Sequence, residues 1–405
     1  MEEYYIYNSE KEITKIIVIL HAYQPPTQEA KILDRIVKNC YLPVLCSLIE
    51  NSNLKITLNI NASLTEHLVT KYPQVIEQIL TLAENKQLEF LETGAYHPIL
   101  PLLSVKEAKL QIQMNNEINS GVFGKIWMPK GFWPPELAVS KSLAQLVESL
   151  GYHYMIVPEL SISSNSPFPT PLLTRVSVHP DTPHLSLINR NREISNNISF
   201  KKYPSIDNLT EHIKMLKISQ PDGVVVIATD LETFGEHHLN YDKFLIKILQ
   251  SFDSCNASTL LTMPKQPIIQ FRESSWSTSE EDLYRNIPYP LWSYPGNSIH
   301  DLLNIHQDLL SNALTLLLSK KDENEYDVKV ALNENAKAQY SCMSWWASTK
   351  DHFSKKMIFE GFKSQNKALK KILEALNSDL VEESVLLKFS DDIGRRIEQY
   401  LARIK

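Results

Sequence analysis

Short apolar runs alternate with helical patterns through the first two thirds of the chain. Six runs have the length and composition of buried strands, at 15–20, 54–60, 88–92, 154–157, 185–189 and 224–229. Apolar residues recur at helical spacing between several of them, for example over 105–123 and 140–150. This alternation predicts parallel strands joined by right-handed crossovers. Six or seven such units favour a closed or nearly closed (β/α) barrel, although periodicity alone does not separate a barrel from an open sheet.

The pattern becomes helical from about residue 298. We expect helices over 299–318, 328–346 and 353–376, and a last one whose apolar residues recur every three to four positions from Leu386 to Ile404. The segment 271–295 is rich in Ser, Glu, Trp and Pro, which indicates an irregular loop. We therefore predict a barrel domain over 1–297 and a helical bundle over 298–405. The bundle is expected to pack on the barrel rather than to serve as a partner-binding surface.

Composition narrows the class of protein. Of the 405 residues, 43% are hydrophobic, which suffices for a large core, and the net charge is -6. The basic residues are dispersed and form no known nucleic-acid motif, so we expect no nucleic-acid partner. The four cysteines have no CxxC spacing, which indicates free thiols. An acidic, polar N-terminus and the absence of any run of about 18 apolar residues predict a cytoplasmic protein without a membrane segment.

Four apolar runs end on ionisable or aromatic residues. His21 and Gln24 follow the first run, while Glu92, Tyr96 and His97 follow the run that begins at residue 88. The other two lead to Glu136, beside Phe132 and Trp133, and to Asp230, which is followed by Glu232, His237 and His238. In an α/β barrel the carboxyl ends of the strands meet at one face, where active sites lie. These side chains are therefore expected to surround one cleft.

Two carboxyl groups with aromatic neighbours suit the cleavage of a glycosidic bond. One carboxyl group protonates the leaving oxygen, and the other attacks the anomeric carbon or activates water. Each residue also has a structural reading. Glu136 after two prolines is compatible with a stabilising acid at a helix N-terminus, and Asp230 with a helix N-cap.

Five short stretches resemble, in order, the motifs of glycoside hydrolase family 57. They are HAYQP at 21–25, ETGAYHPILPL at 92–102, GFWPPE at 131–136, DLETFG at 230–235 and AQYS with two tryptophans at 338–346. The resemblance implies an incomplete (β/α)7 barrel and a retaining hydrolase or glucanotransferase that acts on an α-glucan or oligosaccharide without a cofactor or metal. It also implies that Glu136 is the nucleophile and Asp230 the general acid/base. The residues expected to bind substrate are His21, Gln24, Glu92, Tyr96, His97, Trp133, His238, Trp345 and Trp346.

Three positions depart from the family pattern. Members commonly carry Asp after the serine of the fifth motif, where this chain has Cys342. The usual Arg-Asp and Ser-Asp pairs before the fourth motif are replaced by pairs that end in Asn191 and Asn196. These changes keep both principal carboxyl groups, so we expect them to alter substrate positioning and the charge of the subsites.

Two further functions are compatible with these residues. The first is a metal-dependent polysaccharide deacetylase or mannosidase-type enzyme, with His21, His97, Asp230 and one of the paired histidines as ligands. The second is a sugar-binding relative that kept the cleft and lost catalysis. The sequence does not decide between hydrolysis, transfer and branching, nor does it give the oligomeric state.

Overall fold

The computed structural model describes residues 14–163, 173–268, 270–348, 353–377 and 380–403. The polar N-terminal segment and Ile404 lie outside the described residues. The strands formed by this part of the chain are β1 (Lys15–Ala22), β2 (Ile56–Ile60), β3 (Leu88–Glu92), β4 (Gly131–Phe132), β5 (Tyr154–Val157), β6 (Ile162–Ser163), β7 (Ser177–His179), β8 (Thr182–Asn189), β9 (Val225–Asp230), β10 (Asp253–Cys255), β11 (Gln266–Pro267) and β12 (Gln270–Phe271).

Seven of these strands form a curled parallel sheet in the order β9-β1-β2-β3-β4-β5-β8. No ladder joins β8 to β9 among the described residues. Instead, the backbone N–H of Asn191 donates to the Val226 carbonyl (2.8 Å), and the Asn191 side-chain oxygen accepts from the Val226 N–H (2.6 Å). Asn191, just after β8, thus joins the two edges of the sheet, and the predicted incomplete seven-stranded barrel is confirmed.

Helices surround the sheet and then form a separate layer. They are α1 (Ala30–Ile36), α2 (Leu42–Glu50), α3 (Ala62–Lys71), α4 (Pro73–Glu84), α5 (Val105–Phe123), α6 (Lys141–Ser149), α7 (Arg192–Ser199), α8 (Ile206–Ser219), α9 (Asp242–Ser251), α10 (Glu280–Tyr284), α11 (Ser298–Lys320), α12 (Tyr326–Lys337), α13 (Cys342–Trp345), α14 (Lys355–Leu376) and α15 (Leu380–Arg403). A π-helical turn, Val37–Tyr41, joins α1 to α2.

The alternation of side chains along β1 builds two cores. Ile16, Val18 and Leu20 point outward and pack with the apolar faces of the surrounding helices. Ile17 and Ile19 point inward and fill the barrel interior. Because successive side chains of a strand face opposite sides, a fully apolar run suits a strand that is buried on both faces.

The C-terminal helices confirm the predicted helical region with one correction. The expected helix over 328–346 is wrong as a single element, since α12 ends at Lys337 and α13 begins at Cys342. The backbone N–H of Ser341 donates to the His97 carbonyl (3.1 Å), which diverts the chain toward the barrel. The division into domains at residue 297 stays a prediction. In the described part of the chain, no helix has the length and apolarity needed to cross a bilayer.

Candidate active site

The register of the central strands brings polar side chains to one end of the barrel. His21 lies opposite Asp230 of β9 on one side and opposite Asn59 of β2 on the other. A cleft of about 990 Å³ opens at this end, and both Glu136 and Asp230 line it. The carboxyl groups, though distant in sequence, therefore share one cavity.

A strained turn presents Glu136 to the cleft. The backbone of Glu136 has φ 57° and that of Leu137 φ 46°, a left-handed conformation that costs a non-glycine residue about 1 to 3 kcal/mol. The segment after Arg272 holds the turn, because Val139 pairs with Ser274 and the Trp276 N–H donates to the Glu136 carbonyl (3.1 Å). Such strain, supported by neighbouring backbone, is a frequent feature of catalytic residues.

The carboxyl group of Glu136 lies in a water-poor environment. Its side chain is 16% exposed. Burial, together with the nearby charge of Asp230, raises the pKa of Glu136 to about 8, while a hydrogen bond from Trp276 opposes that rise. The indole Nε1–H of Trp276 donates to Glu136 Oε2 at 2.8 Å. Trp276 is thus the group that stabilises the ionised form of this carboxyl.

A chain of hydrogen bonds crosses the floor of the cleft. His21 Nδ1 lies 2.6 Å from the Asn59 side-chain oxygen, His21 Nε2 lies 3.0 Å from His97 Nε2, and His97 Nδ1 lies 2.9 Å from Ser341 Oγ. Because an amide oxygen only accepts, His21 donates to Asn59, His97 donates to His21, and Ser341 donates to His97. Burial lowers the pKa of both histidines, so both are neutral.

Four aromatic rings lie close together at this floor, and two of them are His21 and His97. The centroid of the His97 ring lies 3.9 Å from that of Tyr23 and 4.9 Å from that of His21, and Trp133 stacks on His21 at 5.2 Å. His97 itself has φ 59°. The stack fixes the ring planes, so that His97 Nδ1 lies 3.7 Å from Glu136 Oε1 without donating to it.

Two donors hold the side chain of Glu232, which also lines the cleft. The hydroxyl of Tyr41 (2.5 Å) and the amide of Gln24 (2.9 Å) donate to Glu232 Oε1. Tyr41 belongs to the π-helical turn, an element that often marks a functional site. Gly235 permits this approach, because a side chain there would collide with the carbonyl oxygen of Asn39. Burial and the Asp230 charge raise the pKa of Glu232 to about 7.

The cleft contains most of the residues predicted to bind substrate. His21, Gln24, His97, Trp345 and Trp346 line it, and the two indoles meet edge to face with centroids 4.8 Å apart. His237 also lines the cleft. Aromatic faces beside ring nitrogens and amides suit the apolar and polar faces of a sugar ring.

Four predicted residues have protein partners away from the cleft surface. Glu92 is fully buried, where it accepts from Thr93, Asn115 and Tyr152, and the hydroxyl of Tyr96 contacts Glu66 and Asn333. Trp133 lies beneath His21, and His238 Nε2 lies 2.8 Å from the Ser199 carbonyl. Contact of these four residues with substrate stays a prediction. In the structure, their side chains contact other residues of the protein.

Several residues of the cleft were absent from the predicted site, among them Trp276, Tyr23 and Arg190. Trp276 and Tyr23 contact Glu136 and His97 respectively, and Arg190 lies with its guanidinium 5.6 Å from the centre of the Trp276 ring. Tyr23 lies within a stretch that resembles the family, but only the fold shows that its side chain and that of Trp276 reach the cleft. Cys342 also lines the cleft, with its sulfur 3.5 Å from the Tyr23 hydroxyl. Burial raises the pKa of this thiol to about 12.

The donor groups of the cleft do not assemble a metal centre. Among the described residues, no group of three or more His, Cys, Asp and Glu side chains has the arrangement to hold a metal ion. What the cleft does assemble is a carboxyl pair, a floor of neutral histidines and aromatic walls.

The chain is similar in sequence to a family of known enzymes. Residues 4–276 match the model of "Glycosyl hydrolase family 57". "Alpha-amylase 1" of Dictyoglomus thermophilum is 26% identical over 35% of this chain and 20% of its own length. "4-alpha-glucanotransferase" of Thermococcus kodakarensis is 24% identical over 38% of this chain and 23% of its own length. The matched segments thus span about a fifth of these relatives.

Solved structures extend the similarity to the helical region. The family 57-type branching enzyme of Pyrococcus horikoshii superposes with a TM-score of 0.69 and 14% identity, covering 95% of this chain and 94% of that one. The exo-type maltose-forming amylase of Pyrococcus sp. ST04 gives a TM-score of 0.71 with 14% identity, over 92% of this chain and 82% of that one. At such identities the likeness establishes the fold.

Proposed function

Because the chain belongs to glycosyl hydrolase family 57, we propose that it cleaves or transfers α-glucan chains with retention of configuration, using Glu136 as nucleophile and Asp230 as general acid/base. One observation carries the proposal. A largely enclosed carboxyl on a strained turn and a second carboxyl at the end of β9 line the same aromatic-walled cleft.

The proposed reaction has two displacements. The Glu136 carboxylate attacks the anomeric carbon while Asp230 gives its proton to the departing glycosidic oxygen, and a glycosyl ester forms. Asp230 then takes a proton from water or from a sugar hydroxyl, which attacks the same carbon and releases Glu136. Water as acceptor gives hydrolysis, and a sugar hydroxyl gives transfer or branching.

The carboxyl pair needs one proton to work. With the pKa of Glu136 at about 8, the pair retains a proton at neutral pH. The productive form carries that proton on Asp230, whereas the form with the proton on Glu136 is idle. These two forms hold the same number of protons, so their ratio does not depend on pH. The hydrogen bond from Trp276 favours the productive form, since it stabilises the Glu136 carboxylate.

The remaining partners follow from the same cleft. An α-glucan or oligosaccharide is proposed as the substrate. The proposed sugar contacts are His21, His97, Trp345 and Trp346. The cytoplasm is the proposed location, and four free thiols in the described residues fit a reducing compartment. Fractionation of the host cell tests the location directly.

A product analysis tests the function. Purified protein is incubated with a maltooligosaccharide series, and the products are separated by chromatography. Shorter chains indicate hydrolysis, longer ladders indicate transfer, and new branch points indicate branching. Glu136→Gln is expected to abolish product formation while the protein stays folded. Full activity in this variant refutes the assignment, and tight binding by the wild type without any turnover indicates a sugar-binding protein instead.

A further inference from the structure

Arg190 is a buried cation beside the proposed acid/base. It follows β8, is 4% exposed, and lines the cleft. A buried guanidinium is costly unless anions or hydrogen-bond acceptors surround it. The partners of Arg190 therefore show whether the protein alone satisfies this charge.

The protein satisfies it only in part. One Nη of Arg190 donates to the amide oxygen of Asn196 at 2.6 Å, and the guanidinium lies over the Trp276 ring. Within the described residues, its Nε has no hydrogen-bond partner, and none of its nitrogens forms a salt bridge with a carboxylate. The side-chain contacts of the cation are thus a neutral amide and an aromatic face.

A second arginine adds to the same charge. Arg192 also lines the cleft, and its backbone N–H donates to Glu159 at 3.2 Å. Burial raises the pKa of Glu159 to about 7, so this carboxyl is only partly ionised at neutral pH. It therefore offsets the two guanidinium charges incompletely.

Other carboxyl groups of the cleft are already engaged. Glu232 accepts from Tyr41 and Gln24, and Glu29 is paired with Lys356 at the rim. The charge of Asp230 acts favourably on Arg190. The proposed mechanism, however, requires a neutral, protonated Asp230 at the start of the reaction. In that state Arg190 loses the compensation that the Asp230 charge supplies.

We propose that Arg190 and Arg192 form an oxyanion-binding subsite beside Asp230, so that the preferred substrate is an α-glucan oligosaccharide bearing a phosphate ester or a carboxylate. The glucan part of this statement rests on the proposed function. A guanidinium binds either group through two parallel N–H···O hydrogen bonds.

The subsite also helps the chemistry of the site. A bound oxyanion offsets the charge of the two guanidinium groups while Asp230 carries its proton. An anionic substrate therefore compensates the two arginines in the state from which the first displacement begins. A neutral glucan binds in the same cleft without this assistance.

Binding of three matched ligands tests the subsite. Calorimetry on the Glu136→Gln protein compares maltoheptaose, maltoheptaose phosphorylated at a C6 hydroxyl, and maltoheptaose oxidised to a C6 carboxylate. At least one anionic ligand is expected to bind about tenfold or more tightly than the neutral one. A tenfold change in affinity corresponds to about 1.4 kcal/mol, and one hydrogen bond to a charged group contributes at least that much. The two anionic arms distinguish phosphate from carboxylate.

A paired set of variants locates the effect. Asn196→Asp gives Arg190 a protein carboxylate, so the preference for the anionic ligand is expected to fall close to unity. Asn197→Asp adds the same charge on the next residue of α7, where the side chain contacts Tyr203 instead. This control is expected to retain the preference. Thermal melts establish that each variant is folded.

The outcomes separate this proposal from the catalytic one. Equal binding of the three ligands, or a preference that Asn196→Asp leaves intact, overturns the subsite. If the wild type nevertheless cleaves maltoheptaose, the proposed function stands. An anionic preference that Asn196→Asp removes, found with no turnover of any ligand, supports the subsite and refutes catalysis.

Discussion

Replacing Trp276 by phenylalanine isolates the role of one hydrogen bond. The indole Nε1–H donates to Glu136 Oε2 at 2.8 Å and opposes the burial that raises the pKa of this carboxyl. A hydrogen bond to a charged group contributes about 1.5 to 3 kcal/mol, and one pKa unit corresponds to about 1.4 kcal/mol. Trp276→Phe is therefore expected to raise the pKa of Glu136 from about 8 by roughly one to two units.

The kinetic signature follows from the shared proton. The variant moves the proton from Asp230 toward Glu136, so the fraction of enzyme in the productive form falls about ten- to hundredfold. Because that fraction does not depend on pH, the plateau of kcat/KM falls by the same factor. The alkaline limb, where the pair loses its last proton, moves to higher pH.

A pH profile of kcat/KM on a maltooligosaccharide measures both effects. Trp127→Phe is the matched control, since its indole donates to Asn116 at 3.0 Å away from the cleft. The control is expected to change stability without moving the profile. A Trp276→Phe enzyme with an unchanged plateau and an unchanged alkaline limb would show that this hydrogen bond does not set the protonation of Glu136.

Three further perturbations test other parts of the site. Asp230→Asn is expected to lower kcat on maltooligosaccharides by about 10² to 10⁴, and far less on an aryl glucoside whose leaving group needs no proton; equal losses on both substrates would remove Asp230 as the acid. Glu92→Gln is expected to keep kcat/KM within about twofold, because Glu92 lies behind the cleft; a large rise in KM would instead place it on the substrate. Burial raises the pKa of Glu92 to about 7, so the stability that its protonated form contributes is fully present below the pKa of the unfolded state and is lost as the pH rises through 7. At pH 9 the unfolding free energy of Glu92→Gln should therefore exceed that of the wild type by about 3 kcal/mol. Equal denaturation midpoints at pH 9 would contradict this. Tyr41→Phe is expected to lower the free energy of unfolding by about 1 to 3 kcal/mol and to lower kcat, because Glu232 loses one of its donors. An unchanged unfolding free energy together with an unchanged kcat would show that this contact is dispensable.

Strands buried on both faces were the most predictable part of the fold. Two strands, Leu88–Glu92 and Tyr154–Val157, have the predicted bounds. Leu88, Phe90 and Leu91 mark the first, and an unbroken apolar run marks the second. The two-residue strand Gly131–Phe132 carries the turn to Glu136, and it is too short for any periodicity to show. The helix predicted over 328–346 kept helical spacing, but the hydrogen bond from Ser341 to the distant His97 carbonyl interrupts it.

The residues of the site also differ in how far the sequence predicts them. Groups that end a long strand, such as His21 and Asp230, were predicted from the pattern and lie in the cleft. Trp276 was not, because its contact with Glu136 joins an irregular loop to a residue 140 positions away. Glu92 shows the converse. It ends a strand as the others do, but Asn115 and Tyr152 enclose it, which no local pattern reports.

The most direct test of the account is to trap the glycosyl-enzyme intermediate. A 5-fluoro-α-glucosyl fluoride reacts with a retaining enzyme and leaves slowly, so the ester accumulates. After digestion, mass spectrometry should find one fluoroglucosyl group on the peptide that contains Glu136, and no such label in Glu136→Gln. A label on Asp230 or Glu232 instead, or turnover to products of inverted configuration without any trapped ester, would contradict the central claim.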